Sequence, residues 1–118
     1  MKTTYLDIAP FVTKDGSVIR ELLHPSQHGP GAMSFAEATV DAGGTTLLHC
    51  HRNSQEIYHI TQGIGTMRLA GTEFDIYGGD TVTIPPGTPH NVTNTGREPL
   101  KILCVCHPPY ADDDTALL

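Results

Sequence analysis

The chain has 118 residues, with 7 Lys and Arg against 13 Asp and Glu, and a formal net charge of −6. That length fits one domain, able to bury roughly two-thirds of the surface its unfolded form exposes and so to fold without staples. The acidity excludes the clustered Lys and Arg of a nucleic-acid surface, and the scattered basic residues form no membrane-binding stripe.

Nine Pro, twelve Gly and no Trp predict many turns, short elements and no long helix. Met1-Lys2-Thr3-Thr4-Tyr5 leads into no apolar run of signal-peptide or membrane-span length, so the expected setting is cytosolic. Cys50, Cys104 and Cys106 are an odd number, which suits reduced thiols better than a disulfide framework. One domain over residues 1–118 is expected, with an N-terminal strand segment over about 1–30 and the informative motifs at 43–94.

Taken in chain order, short apolar alternations bounded by Gly, Pro, Asn or Asp predict strands at Val18–Leu23, Ala32–Val40, Thr45–His51, Glu56–Thr61, Gly65–Leu69, Thr72–Ile76, Asp80–Ile84, His90–Thr93 and Leu100–Cys106. Ala70-Gly71 reads as a tight hairpin, and Gly63 with Gly65 as another. Nine evenly spaced strands point to a small β-barrel or jelly roll. An open immunoglobulin-like sandwich would lack its core Trp here. The tail from Pro108 to Asp114 leaves the last strand. Its Asp112-Asp113-Asp114 reads as a solvated end, with Tyr110 as the residue that could fold back over a barrel mouth.

Two segments carry chemistry. In the first, His49 and His51 are two apart on a strand and share a face, while Cys50 points the other way. Glu56 can rejoin that face if the polar stretch Arg52-Asn53-Ser54-Gln55 turns the chain into a neighbouring strand. In the second, Pro85-Pro86-Gly87-Thr88-Pro89 is a stiff loop that aims His90 inward. Gly43, Gly63, Gly79 and Gly87 stand where tight turns need positive φ. Three imidazoles and a carboxylate suit a single ion of Mn, Fe, Co, Ni or Zn, whereas oxygen donors alone would suit Mg or Ca.

Gly43, His49, His51, Glu56 and Gly63 match the cupin pattern G-x5-H-x-H-x4-E-x6-G, and Gly79, Pro85, Gly87, His90 and Asn94 match G-x5-P-x-G-x2-H-x3-N. The chain therefore resembles the cupin superfamily, and its short gap between the two motifs is similar to that of small microbial monocupins. The resemblance implies an all-β, double-stranded β-helix (jelly-roll) barrel, with His49, His51, Glu56 and His90 as ligands of one divalent transition-metal ion. It also implies a homodimer formed through edge strands, and Thr4–Val12 is the segment expected to add to a partner's sheet.

The remaining chemistry-bearing residues divide by strand parity. Tyr58 shares Glu56's face and is either a hydrogen-bond donor near the ion, hence a possible catalytic group, or a packed wall residue. Cys104 and Cys106 share a face of the last strand, as buried small hydrophobes that line the pocket if that face is interior. With Tyr58 and Tyr110 they are the pocket-lining candidates. His59 lies three after Glu56 and should face out, for surface or subunit contact. His24 and His28 are expected as plain loop residues, and His107 near a barrel rim. Two functions remain open: a metal-dependent enzyme acting on a small carbonyl, sugar or sugar-acid compound with isomerase, epimerase or dioxygenase-like chemistry, or a non-catalytic barrel that holds a small molecule.

Overall fold

The structure, a computed structural model, describes residues 1–118. Alternation of apolar and polar residues folds the chain into eleven strands in two antiparallel sheets that face each other. Chain order gives β1 (Phe11–Val12), β2 (Val18–Leu23), β3 (Ser34–Val40), β4 (His49–His51), β5 (Gln55–Gln62), β6 (Ile64–Leu69), β7 (Thr72–Tyr77), β8 (Thr81–Ile84), β9 (His90–Asn94), β10 (Leu100–His107) and β11 (Thr115–Leu117). One sheet runs β1-β2-β3-β10-β5-β8 and the other β11-β4-β9-β6-β7. Consecutive strands repeatedly change sheets, which is the double-stranded β-helix expected from the motifs. The single α-helical turn, α1, covers Pro25–His28, and no helix is long and apolar enough to cross a membrane.

Parity decides what fills the space between the sheets. On β3, Ser34, Ala36, Ala38 and Val40 are buried while the residues between them are not. On β10, Leu100, Ile102, Cys104 and Cys106 are buried in the same way. One half of the interior is packed tight by Ile60, Met67, Ile76, Ile84, Leu100 and Ile102, all under 2% exposed, each contributing about 1.5–3 kcal/mol by leaving water. The other half has Ala and Ser where large side chains would otherwise meet, and there a cavity opens.

Two turns show why the glycines stand where they do. Ala70 and Gly71 have φ of 51° and 81°, the doubly positive pair of a type I′ hairpin, and they join β6 to β7 in register Leu69↔Thr72. The hairpin expected at Gly63 and Gly65 does not form: β5 and β6 lie in different sheets. Gly63 is a corner, with φ of 89°, where a Cβ would lie 3.0 Å from the Pro99 carbonyl. At Gly65 a Cβ would come within 2.5 Å of the Thr93 carbonyl, so the crossing strand is pressed onto β9. Gly43, Gly79 and Gly87 also have positive φ.

Four expectations at the edges need correction. Thr4–Val12 is not one strand. Tyr5–Asp7 is a 3-10 turn, and only Phe11–Val12 pairs, with β2. Strand β4 begins at His49 rather than Thr45, because its pairing with β9 is interrupted: Thr45 makes only an isolated bridge to Thr93, and Leu47 N then turns away to donate to Asp15 O. The tail is not a solvated end. Asp112–Asp114 form a 3-10 turn, and Thr115–Leu117 pair with β4 as Thr115↔His51, Ala116↔Cys50 and Leu117↔His49. His24 is no plain loop residue either, for its Nδ1 accepts from Ser26 N and its Nε2 lies 2.7 Å from the Tyr110 carbonyl, fastening the tail to the start of α1.

Candidate metal centre

The site begins with β4. Its two-residue period turns His49 and His51 to the interior, where they are 2% and 5% exposed. Strand β9 pairs with β4 at His49↔His90, so the stiff Pro85–Pro89 loop delivers the third imidazole beside the first. His90 is 0% exposed and lies behind the other two. The turn at 52–54 is held by the tail: Asp114 accepts from Asn53 N at 3.0 Å, from Asn53 Nδ2 at 2.8 Å and from Ser54 N at 3.2 Å. That turn starts β5 in the phase that buries Glu56 and Tyr58 and leaves Gln55 and Ile57 outside.

Each imidazole has its Nδ1 occupied. His49 Nδ1 is 2.7 Å from the Leu47 carbonyl, and His90 Nδ1 is 2.9 Å from the Thr88 carbonyl. Carbonyls only accept, so both Nδ1 atoms carry the proton and both Nε2 atoms present a lone pair. His51 Nδ1 is 3.0 Å from Thr115 Oγ1. The Thr115 hydroxyl already donates to the Ala111 carbonyl at 3.0 Å, so it accepts from His51 and sets the same tautomer. One ligand atom from each of the three rings can be chosen so that all lie within 4.8 Å of one another.

Glu56 completes the cluster. Its Oε1 lies 3.2 Å from His51 Nε2 and 3.3 Å from His90 Nε2, yet Oε1 and His90 Nε2 make no aligned hydrogen bond and are fully enclosed. Buried polar atoms left unpaired are costly. A cation between them would satisfy the imidazole lone pairs and the carboxylate at once, and the three nitrogens with one oxygen are a donor set for a transition metal. The residues fit such an ion. Burial works against ionisation of Glu56, but His51 and His90 outweigh it and hold the carboxyl at about 2. Burial likewise opposes charge on His51, while its Glu56 neighbour outweighs that and raises it. His49 is lowered by burial and by the neighbouring His90.

A cavity of about 50 Å³, open at one end, lies in front of the imidazoles. Tyr58, Cys104, Cys106 and Tyr110 are among the residues around it. Cys106 Sγ donates to Glu56 Oε2 at 3.3 Å, and burial pushes both cysteine thiols well up. The Tyr58 ring packs edge-on against His90 at 5.8 Å, and its phenol is kept protonated by burial and by Glu56. Tyr110 folds back, edge-on to His51 at 5.8 Å, with its phenol pushed up to about 12 by burial. His59 points outward and pairs with Thr81 Oγ1 at 2.8 Å. His107 is exposed, its Nδ1 2.8 Å from the Ala32 carbonyl.

Three cavity residues with a bearing on the cluster's chemistry, Thr115, Asp15 and Glu21, have no counterpart in the sequence motifs. Thr115 sits in a tail that carries no strand-length pattern. Asp15 sits in the turn after β1, with Oδ1 accepting from Ser17 N at 2.9 Å and Ser17 Oγ at 2.6 Å, and with Oδ2 3.6 Å from His49 Nε2. Glu21 on β2 is 5% exposed with Oε1 unpartnered. The one available signal was the parity of Ile19 and Glu21 on β2, continued by Ser17 just before it. Asn94, the last residue of the second motif, serves the fold: it donates to Val40 O at 2.9 Å and Glu98 O at 2.8 Å and accepts from Gly96 N at 2.9 Å.

A jelly roll with a histidine-rich centre between its sheets defines the class of small β-barrel proteins built around an interior site. The chain belongs to the cupin family: the Cupin domain model matches residues 36–106. It is 52% identical to uncharacterised protein MJ1618 of Methanocaldococcus jannaschii, over 100% of this chain and 94% of that protein. It is 32% identical to auxin-binding protein 1 of Arabidopsis thaliana, over 70% of this chain and 46% of that protein. Among solved structures, a predicted oxalate decarboxylase from Thermotoga maritima superposes with a TM-score of 0.79 at 27% identity, covering 92% of this chain and 99% of that one.

Proposed function

We propose that this protein is a metal-dependent enzyme acting on a small carbonyl, sugar or sugar-acid compound, with His49, His51, Glu56 and His90 holding one divalent ion of Mn, Fe, Co, Ni or Zn. The observation that carries this reading is the set of three Nδ1 atoms all committed to fixed partners beside a buried, unpaired Glu56 oxygen. An ion bound there supplies Lewis acidity to a carbonyl or enolate oxygen.

The chain's own residues do the rest. Ala36, Ala38, Val40 and Val92 make an apolar wall that keeps bulk water from the reacting group and strengthens electrostatic contacts within. Tyr58 and Tyr110, both kept protonated, present neutral phenols. Cys106 holds Glu56 Oε2, so that Oε1 keeps its aim. The reaction class proposed is isomerisation, epimerisation or oxygenation of that compound.

Elemental analysis of protein purified without a His tag tests the reading. About one transition-metal ion per chain is expected, falling to none in His51→Ala while the barrel stays folded. A folded native protein that takes up no such ion when supplied with it ends the proposal. The second reading, a binding module, draws on the similarity to auxin-binding protein 1. It requires small-molecule affinity that survives Glu56→Ala and metal removal.

Self-association belongs to the same proposal. The six-stranded sheet ends at β1, where Val12 is 69% exposed and nearby Leu6 is 85% exposed, and a homodimer paired along this edge would cover them. Light scattering that returns a monomer rejects it. Three unpaired cysteines support a reducing, cytoplasmic setting.

A further inference from the structure

The cavity is acidic in a way the metal cluster does not require. None of the seven Lys and Arg lines it. Five of them are tied to other groups: Lys14 reaches the backbone carbonyls of Asp112 and Thr115, Arg20 those of Tyr5 and Ile8, and Arg52 that of Asp113. Arg68 pairs with Glu73 and Lys101 with Glu37. Two carboxyl groups beyond Glu56 do face the cavity, Asp15 and Glu21. Asp15 is oriented by Thr13 and Ser17, which occupy Oδ1, and its other oxygen stays turned toward His49.

Glu21 is the stronger signal. Its side chain is enclosed, and Oε1 has no hydrogen-bond partner in the protein. Burial pushes its carboxyl above the ordinary 4.5, which makes this position a liability for folding alone. Its backbone pairs with Ala36, and the methyl groups of Ala36 and Ala38 leave open space where larger side chains would stand. A divalent ion would bring two positive charges, and Glu56 and Asp15 already set two carboxylates against them.

We propose that Glu21 and Asp15 form an acceptor subsite that selects a neutral, donor-bearing ligand, a polyhydroxylated carbonyl compound, and rejects dicarboxylates and phosphate esters. This inference rests on the enzyme reading above and narrows its substrate class. A ligand oxygen faces the imidazoles while a hydroxyl of the same molecule donates to the Glu21 carboxyl. A dianion such as oxalate would find no cation on the walls and two carboxylates close by, and like charges placed together in a confined site weaken binding.

Protein-observed NMR of the metal-free and zinc-loaded chain, titrated with dihydroxyacetone and separately with oxalate, tests it. Dihydroxyacetone is expected to shift the Glu21 and Ala36 amides and to bind the zinc-loaded protein at least about tenfold more tightly than oxalate does. Glu21→Leu should weaken dihydroxyacetone about tenfold. In the metal-free protein the same variant should raise the unfolding midpoint by about 3 °C or more, because an unpaired buried acceptor is gone. Glu21→Gln keeps the shape and should let oxalate bind about tenfold more tightly. Equal or tighter oxalate binding to the native protein overturns the proposal. So does the absence of any dihydroxyacetone shift at Glu21, unchanged affinity in Glu21→Leu, or a lowered midpoint in that variant, which would make the carboxyl structural. Failure of the enzyme reading is read separately, as folded native protein that takes up none of Mn, Fe, Co, Ni or Zn by elemental analysis.

Discussion

The middle of the chain and its two ends build different parts of the same site. Residues 43–94 carry every group of the imidazole–carboxylate cluster, placed by strand parity, one polar turn and one stiff loop. The ends carry the groups that orient and enclose that cluster: Thr115 beneath His51, Asp114 on the 52–54 turn, Tyr110 folded back against His51, Asp15 beside His49, and Glu21 on the cavity wall. The lesson is one of range. Ligand spacing is a local property, whereas the second set of contacts depends on a strand, β11, that pairs with β4 from 64 residues away in sequence at Thr115 and His51.

Removing a central residue and removing a terminal one should therefore fail differently. His51→Ala is the largest break: metal content falls to none, and the stabilisation by added metal disappears. For an ion at about 100 times its dissociation constant that stabilisation is roughly 2.7 kcal/mol, measured as the midpoint difference with and without chelator. Unchanged metal content would remove His51 from the cluster.

Thr115→Val should leave the ion site present but less well aimed. Losing the acceptor for His51 Nδ1 is expected to weaken metal affinity by about 10–100-fold, in a competition titration against a chromophoric chelator. An unaltered affinity would show that the tail only caps the barrel. Asp114→Ala is milder, because the Asn53 donors lie on the exposed part of the turn and can turn to water, leaving only the N–H of buried Ser54 unpaired. A stability loss of about 1 kcal/mol in urea is expected, with metal affinity lowered less than in Thr115→Val. Smallest of all is Arg68→Ala, whose partner Glu73 sits with it on the surface of β6 and β7, 2.8 Å away. It should cost less than about 0.5 kcal/mol, and a larger value would mean that the central region is coupled beyond its core.

Acidity sharpens the same contrast in the metal-free protein. Glu56 is depressed to about 2 from 4.5, so its contribution is full above 4.5 and fades as the pH falls toward 2. His51 is raised above 6.5, so its contribution is full below 6.5 and is lost as the pH rises through its folded value. The cluster should stabilise the empty barrel most between these limits. Glu56→Gln should flatten both arms in a series of thermal unfolding curves, and persistence of either arm would assign it to other groups.

Much of the strand pattern was legible because burial alternates with period two: Val18–Leu23 is β2 as expected, and Ala70-Gly71 is the hairpin its residues demand. The Gly63 corner was misread as a hairpin because a positive-φ glycine marks a sharp turn without saying which sheet receives the next strand. The tail was misread because Asp112-Asp113-Asp114 is polar, and three residues of β11 are too few to show a period.

By itself the sequence determined the family, the jelly-roll class, the shared face of His49 and His51, and the phase that brings Glu56 and Tyr58 inward. All of these follow from spacing along one chain. Only the tertiary structure decided which lone pairs face the centre and which carboxyls face the cavity. Those depend on partners far apart in sequence, such as Thr115 with His51 and Glu21 with the open space above Ala36 and Ala38, and no local periodicity encodes where two distant strands will meet.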